Sequence, residues 1–132
     1  MKTKLLILLF FLFAGTIALA QQKEQQKGDV FMEVEQMPEY PGGFDGLKSF
    51  ITDNVKYPEQ AKKNKVEGKV FISFVVDKDG SVTDAQVVKS VDMELDKEAL
   101  RVVNTMKKWT PGKQKGETVK VQYTLPIQFA LD

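Results

Sequence analysis

The sequence predicts an α+β fold with helices layered on one face of a sheet, and three observations predict it. The last fourteen residues, Val119 to Asp132, alternate between two faces. Val119, Val121, Tyr123, Leu125, Ile127, Phe129 and Leu131 share one face, and Lys120, Gln122, Thr124, Pro126 and Gln128 share the other, the period of a strand buried on one side. Lys69 to Asp77 places Val70, Ile72, Phe74 and Val76 on one face, and Phe71 and Val75 on the other, as expected of a central strand. Leu95, Ala99, Val102, Val103 and Met106 recur at helical spacing and mark the buried stripe of a longer helix.

Lys2 and Lys4 precede an uncharged apolar run, Leu5 to Ala20, that ends in the small-x-small pattern Ala18-Leu19-Ala20 of a secretory signal peptide. The alternative is a short uncleaved membrane anchor facing the periplasm. Sixteen residues rising about 1.5 Å each reach about 24 Å, against a hydrocarbon core of about 30 Å. Under either reading the remainder is extracytoplasmic: periplasmic after cleavage, or tethered to the inner membrane. The organisation expected is therefore 1–20 as leader, 21–37 as a polar segment with a weak short strand over Val30 to Met37, and 38–132 as one domain.

Pro38 to Gly43 imposes an extended, turning path. Phe44, Leu47, Phe50 and Ile51 then predict a short helix up to Asn54. Tyr57-Pro58 opens a second helix, since proline suits the first helical position, and Gly68 ends it. Asp77-Lys78-Asp79-Gly80 reads as a hairpin turn, returning the chain as Val82 to Ser90. Asp92 or Asp96 is placed to cap the longer helix, which stops at Trp109-Thr110-Pro111-Gly112. A basic loop, Gly112 to Gly116, leads into the final strand. Pro126 within that strand has no N–H, which predicts a sheet edge or a bulge there.

Without Lys2 and Lys4 the chain carries 17 basic against 18 acidic residues, a net charge of −1, so nucleic acid is not an expected partner. There is no cysteine, so disulfides are unavailable and the aromatic residues, a single Trp among them, have to supply the burial. There is also no histidine, which removes the usual general base near neutral pH, and no thiolate nucleophile or Cys/His metal site is possible. Asp77 and Asp79 begin like a calcium loop, but Gly80 comes one residue early and no Glu stands at the twelfth position. Lys113-Gln114-Lys115-Gly116 lacks the spacing of a phosphate-cradling loop and reads as a solvated basic loop, with an anionic polymer such as cell wall as the alternative contact. Glu94 and Glu98 share a helix face and read as solvated charges, not a catalytic pair. Trp109 reads as a core or cap residue at the helix end. Elimination leaves a binding module that is not an enzyme and holds no cofactor or metal.

Several motifs in order carry a resemblance. Tyr57-Pro58-x-x-Ala61, Val66-Glu67-Gly68-Lys69-Val70, Phe74-x-Val76-Asp77-x-Asp79-Gly80, Leu95-Asp96-x-Glu98-Ala99, Trp109-x-Pro111-Gly112, Gly116-x-x-Val119 and Leu125-Pro126-Ile127-x-Phe129 together resemble the TonB C-terminal domain family over residues 57–132. Met37-Pro-Glu-Tyr-Pro-Gly-Gly43 resembles the lead-in of its Bacteroidetes branch. The resemblance implies a three-stranded antiparallel sheet with the hairpin's first strand in the middle and two or three helices on one face. It implies an energy transducer's partner-gripping domain, which binds the TonB box of outer-membrane TonB-dependent transporters by strand addition beside the last strand. Carried onto this chain, the receiving residues are Val119, Lys120, Val121, Gln122, Tyr123, Thr124 and Leu125.

Two departures from the family pattern bear on a motor. Full-length transducers carry a membrane-helix His that engages ExbB and ExbD, and this sequence has no His. They also carry a long Pro-rich linker, whereas the seventeen residues between Ala20 and Pro38 span about 60 Å at full extension. Engagement of an ExbB/ExbD-type motor is thus not expected by the usual route. A stand-alone periplasmic structural or cell-wall-binding module, or a homodimer joined by two edge strands, is the reading from a different class.

Overall fold

The computed structural model describes residues 30–132. The expected leader and most of the polar segment lie outside the described residues. Among the described residues no helix is long and apolar enough to cross a membrane. The elements run α1 (Gly43–Asn54), α2 (Glu59–Lys63), β1 (Gly68–Val76), β2 (Val82–Lys89), α3 (Met93–Asn104), β3 (Gly112–Gln114), β4 (Glu117–Val119) and β5 (Val121–Phe129).

The main sheet has the order β2-β1-β5, with β1 in the middle and both neighbours antiparallel to it. β1 and β5 pair without interruption from Gly68↔Phe129 to Val76↔Val121. Val70, Ile72, Phe74 and Val76 face the helices and are fully buried. The second apolar set is half-covered: Phe71 lies under the Lys89 ammonium, 5.4 Å from the ring centroid, and Val75 is nearly buried.

α3 covers β1 and β2 through Leu95, Ala99, Val102 and Val103. Its start is set by Asp92, whose carboxylate accepts from the N–H groups of Glu94 at 3.0 Å and Leu95 at 3.4 Å, two donors that the helix itself leaves unpaired. Asp96 instead accepts from the Ser90 hydroxyl and the Val91 N–H, fixing the loop before the helix. The hairpin turn is tied to the segment that follows α3, where the Trp109 backbone N–H donates to the Gly80 carbonyl at 2.8 Å. A Cβ on Gly80 would lie 2.0 Å from the Trp109 carbonyl oxygen, and its φ of +89° suits glycine alone.

Five sequence expectations are corrected. The alternating tail is not one strand: Glu117–Val119 turns away as β4 to pair with β3, so Val119 belongs to a small hairpin and β5 begins at Val121. The basic loop is therefore the tip of that hairpin, with Lys115 and Gly116 both at positive φ. Val30 to Met37 forms isolated bridges and no strand. Gly68 opens β1, because α2 already ends at Lys63, a turn earlier, and Pro58 stands just before its first residue. Glu98 is not a solvated charge. It accepts from the Lys56 N–H at 2.6 Å and from two Arg101 nitrogens at 2.8 and 2.7 Å, while Arg101 also donates to the Asn54 carbonyl at 2.7 Å. These bonds pin the end of α1 to α3, and the Arg101 guanidinium, aided by the Lys56 N–H, holds the Glu98 carboxyl below its ordinary value.

Candidate functional site: the outer edge of β5

Backbone groups alternate in direction along a strand, so one known bond fixes the direction of all the others. Gln122 donates its N–H to the Phe31 carbonyl at 2.8 Å, away from β1. Thr124, Pro126 and Gln128 consequently present their backbone to the same outer side. Pro126 is explained by this pattern: its missing N–H falls where β1 needs none, opposite Phe71. No described strand covers β5 on that side from Thr124 onward. The available groups are the N–H and C=O of Thr124 and Gln128 and the C=O of Pro126.

The inward residues make this edge rigid. Leu125, Ile127 and Phe129 are buried in the core, and the Tyr57 ring meets Phe129 edge-on at 5.6 Å. Tyr123 stacks on Phe74 at 5.6 Å and against Trp109 at 5.0 Å, and Trp109 in turn meets Phe74 at 5.5 Å and Tyr40 at 5.4 Å. An aromatic block of four rings thus stands behind the middle of the edge.

Beside the edge lies a groove of about 780 Å³ between α1 and β5, walled by Phe44, Leu47 and Ile51 on one side and by Tyr123, Leu125 and Pro126 on the other. Phe44 is 76% exposed at its mouth, and Lys48 and Lys69 line the rim. An extended segment laid along Thr124 to Gln128 meets backbone partners, an apolar recess for alternate side chains and two cations. Among the described residues no group of acidic side chains is arranged to hold a metal ion.

The residues expected to receive a partner divide three ways. Val119 sits in the β3–β4 hairpin, and Val121 and Leu125 point into the core. Lys120 and Gln122 lie on the outer side but are already bonded, the Lys120 carbonyl accepting from the Phe31 N–H at 2.9 Å. Tyr123 and Thr124 face the groove, and in the expected set the outward backbone groups that no described residue pairs are those of Thr124 and the Gln122 carbonyl. Sequence reasoning placed an edge at Pro126, as observed, but left Pro126 and Gln128 outside the receiving set and assigned no part in it to Phe31, Phe44 or Lys48. The sequence did carry one signal for the shift, since Pro126 marks the outward phase of the strand.

The stretch before α1 is held across the start of this edge. Gln36 and Lys113 exchange backbone bonds at 3.1 and 2.9 Å, and Glu39 and Thr110 do so at 3.0 and 2.7 Å. Gly112 permits the approach, for a Cβ there would sit 2.6 Å from Val121 Cγ2 and 3.2 Å from the Gln36 carbonyl oxygen.

A three-stranded antiparallel sheet layered with three helices, its β5 edge beside a groove, defines an α+β domain. The family profile of the Gram-negative bacterial TonB protein C-terminal matches residues 53–131, and the chain belongs to that family. Among relatives, Protein TonB of Helicobacter pylori is 34% identical over 86 residues, covering 64% of this chain and 29% of that protein. Protein TonB of Haemophilus influenzae is 42% identical over 59 residues, covering 44% of this chain and 22% of that protein. The match thus spans under a third of the length of these relatives. Two solution NMR structures of the Helicobacter pylori TonB C-terminal domain, a longer and a shorter form, resemble the fold. They give TM-scores of 0.51 and 0.50 at 30% identity, over 65% of this chain and 78% and 90% of theirs.

Proposed function

We propose that this chain is an extracytoplasmic binding domain, with no catalytic activity, that takes up the TonB box of outer-membrane TonB-dependent transporters as an added strand along β5. In this reading it serves energy-coupled nutrient import or its regulation. The observation that carries it is the outward backbone of Thr124 to Gln128 beside the α1–β5 groove, which no strand pairs among the described residues. Family membership supports the partner class, and the missing His and Cys support binding over catalysis. Main-chain bonds supply affinity, and the groove with its Lys48 and Lys69 rim supplies selectivity for an apolar residue near an acidic one.

The test is a titration of the ¹⁵N-labelled chain with a TonB-box peptide, followed by amide chemical shifts. The expected result is a set of changes at Thr124, Leu125 and Gln128 and along Phe44 to Ile51. Shifts elsewhere with β5 silent would sink the reading. Light scattering on the same sample separates the alternative in which a second copy of the chain occupies the edge, since pairing of two edges doubles the mass.

A further inference from the structure

The start of the partner edge is occupied by the chain itself. Phe31 lies parallel beside Val121 and uses both outward groups that flank it, donating to the Lys120 carbonyl at 2.9 Å and accepting from the Gln122 N–H at 2.8 Å. These are the bonds of an added strand one residue long. Two residues further on the chain bends away, so Thr124 is left open. The hold is light where it matters: Phe31 is only half-buried and its neighbours Val30 and Met32 are exposed, at 40% and 64%. The segment is firmly attached only further along, by the paired bonds of Gln36 and Glu39 to Lys113 and Thr110. A tether fixed at Gln36 with a single weakly packed tooth at Phe31 is able to release that tooth without disturbing the core.

We propose that Phe31 is a resident occupant of the docking edge: a partner strand that lies on Thr124 to Gln128 extends onto Gln122 and Lys120 only by displacing it. This deepens the strand-addition reading above and rests on it. The consequence is that partner binding is a strand exchange at one end. Its free energy is reduced by the Phe31 bonds that are lost, and a longer partner segment gains less per residue than a short one. It also protects Gln122 and Lys120 from pairing with unintended strands while the edge is vacant.

The experiment uses the full chain in detergent micelles, labelled with ¹⁵N, and a TonB-box peptide long enough to pass Thr124. In the free protein the Gln122 amide should exchange with solvent much more slowly than the Thr124 amide; equal exchange overturns the proposal without any variant. Phe31→Pro removes the N–H that reaches Lys120. It should speed Gln122 exchange, tighten the peptide about tenfold, which is 1.4 kcal/mol, and bring Gln122 among the amides that respond to peptide. Phe31→Ala, which keeps the donor and removes only the ring, should give a smaller change in the same direction. Peptide binding on β5 with the same affinity in all three proteins overturns the displacement while leaving the docking reading intact. Absence of binding on β5 in all three overturns both.

Discussion

Tyr123 links the core to the β5 edge, because its ring stacks on Phe74 and leans tilted against Trp109 while its side chain also walls the groove. Replacing it by alanine removes two ring contacts and opens a void, and should cost about 3 kcal/mol in urea-monitored unfolding. Glu98 acts through charge. Its folded carboxyl titrates below the ordinary 4.5, so its bonds to Arg101 and Lys56 stabilise fully above that value and are lost as pH falls through the lower, folded one. Glu98→Gln should therefore cost about 1 kcal/mol at pH 7, and that cost should shrink as the pH is lowered through the folded value, checked by thermal melts at successively lower pH. The cap was legible as Asp92 or Asp96, since an Asp just before or inside the first turn is a local signal, and the structure selects Asp92. Glu98 was not, because its backbone partner Lys56 is forty-two positions away and no local spacing points to it.

At the scale of the element, the alternation of β5 tells which side chains are buried but not which backbone groups are free. Those are distinct properties of a strand, and only the second defines a docking edge. This is why the expected set ran from Val119 to Leu125 while the open groups run from Thr124 to Gln128. Val119 was indistinguishable by pattern from a β5 residue, and its pairing with Gly112 depends on a turn at Lys115-Gly116 that looked like a plain loop. Two proline substitutions test the phase. Thr124→Pro removes an outward N–H and should leave the fold within about 1 kcal/mol while weakening peptide binding, measured by calorimetry. Tyr123→Pro removes an N–H that points toward β1 and should cost clearly more than Tyr123→Ala, because the ladder to Phe74 is broken as well. On α3, Asp92→Ala should lower stability by about 1 kcal/mol without affecting peptide binding.

For the whole molecule, the sheet order was legible from β1 alone, since a strand apolar on both faces belongs in the middle. The path of the chain before α1 was not legible, because its bonds are backbone to backbone and leave little trace in side-chain pattern. The long-range tie between Gly80 and Trp109 is of the same kind. Gly80→Ala would drive a methyl group into the Trp109 carbonyl, and the variant should unfold at far lower urea or fail to fold, with loss of near-ultraviolet signal from Trp109 as the readout.

The uninterrupted β1–β5 register has a mechanical meaning. Its hydrogen bonds stand across the strand direction, so tension applied lengthwise to β5 strains the whole ladder, from Val121 to Phe129, at the same moment. Tension applied at right angles would open the same bonds one after another from an end. A segment gripped along Thr124 to Gln128 and drawn parallel to the strand therefore loads this domain in shear, the direction in which a small cysteine-free sheet resists tearing best.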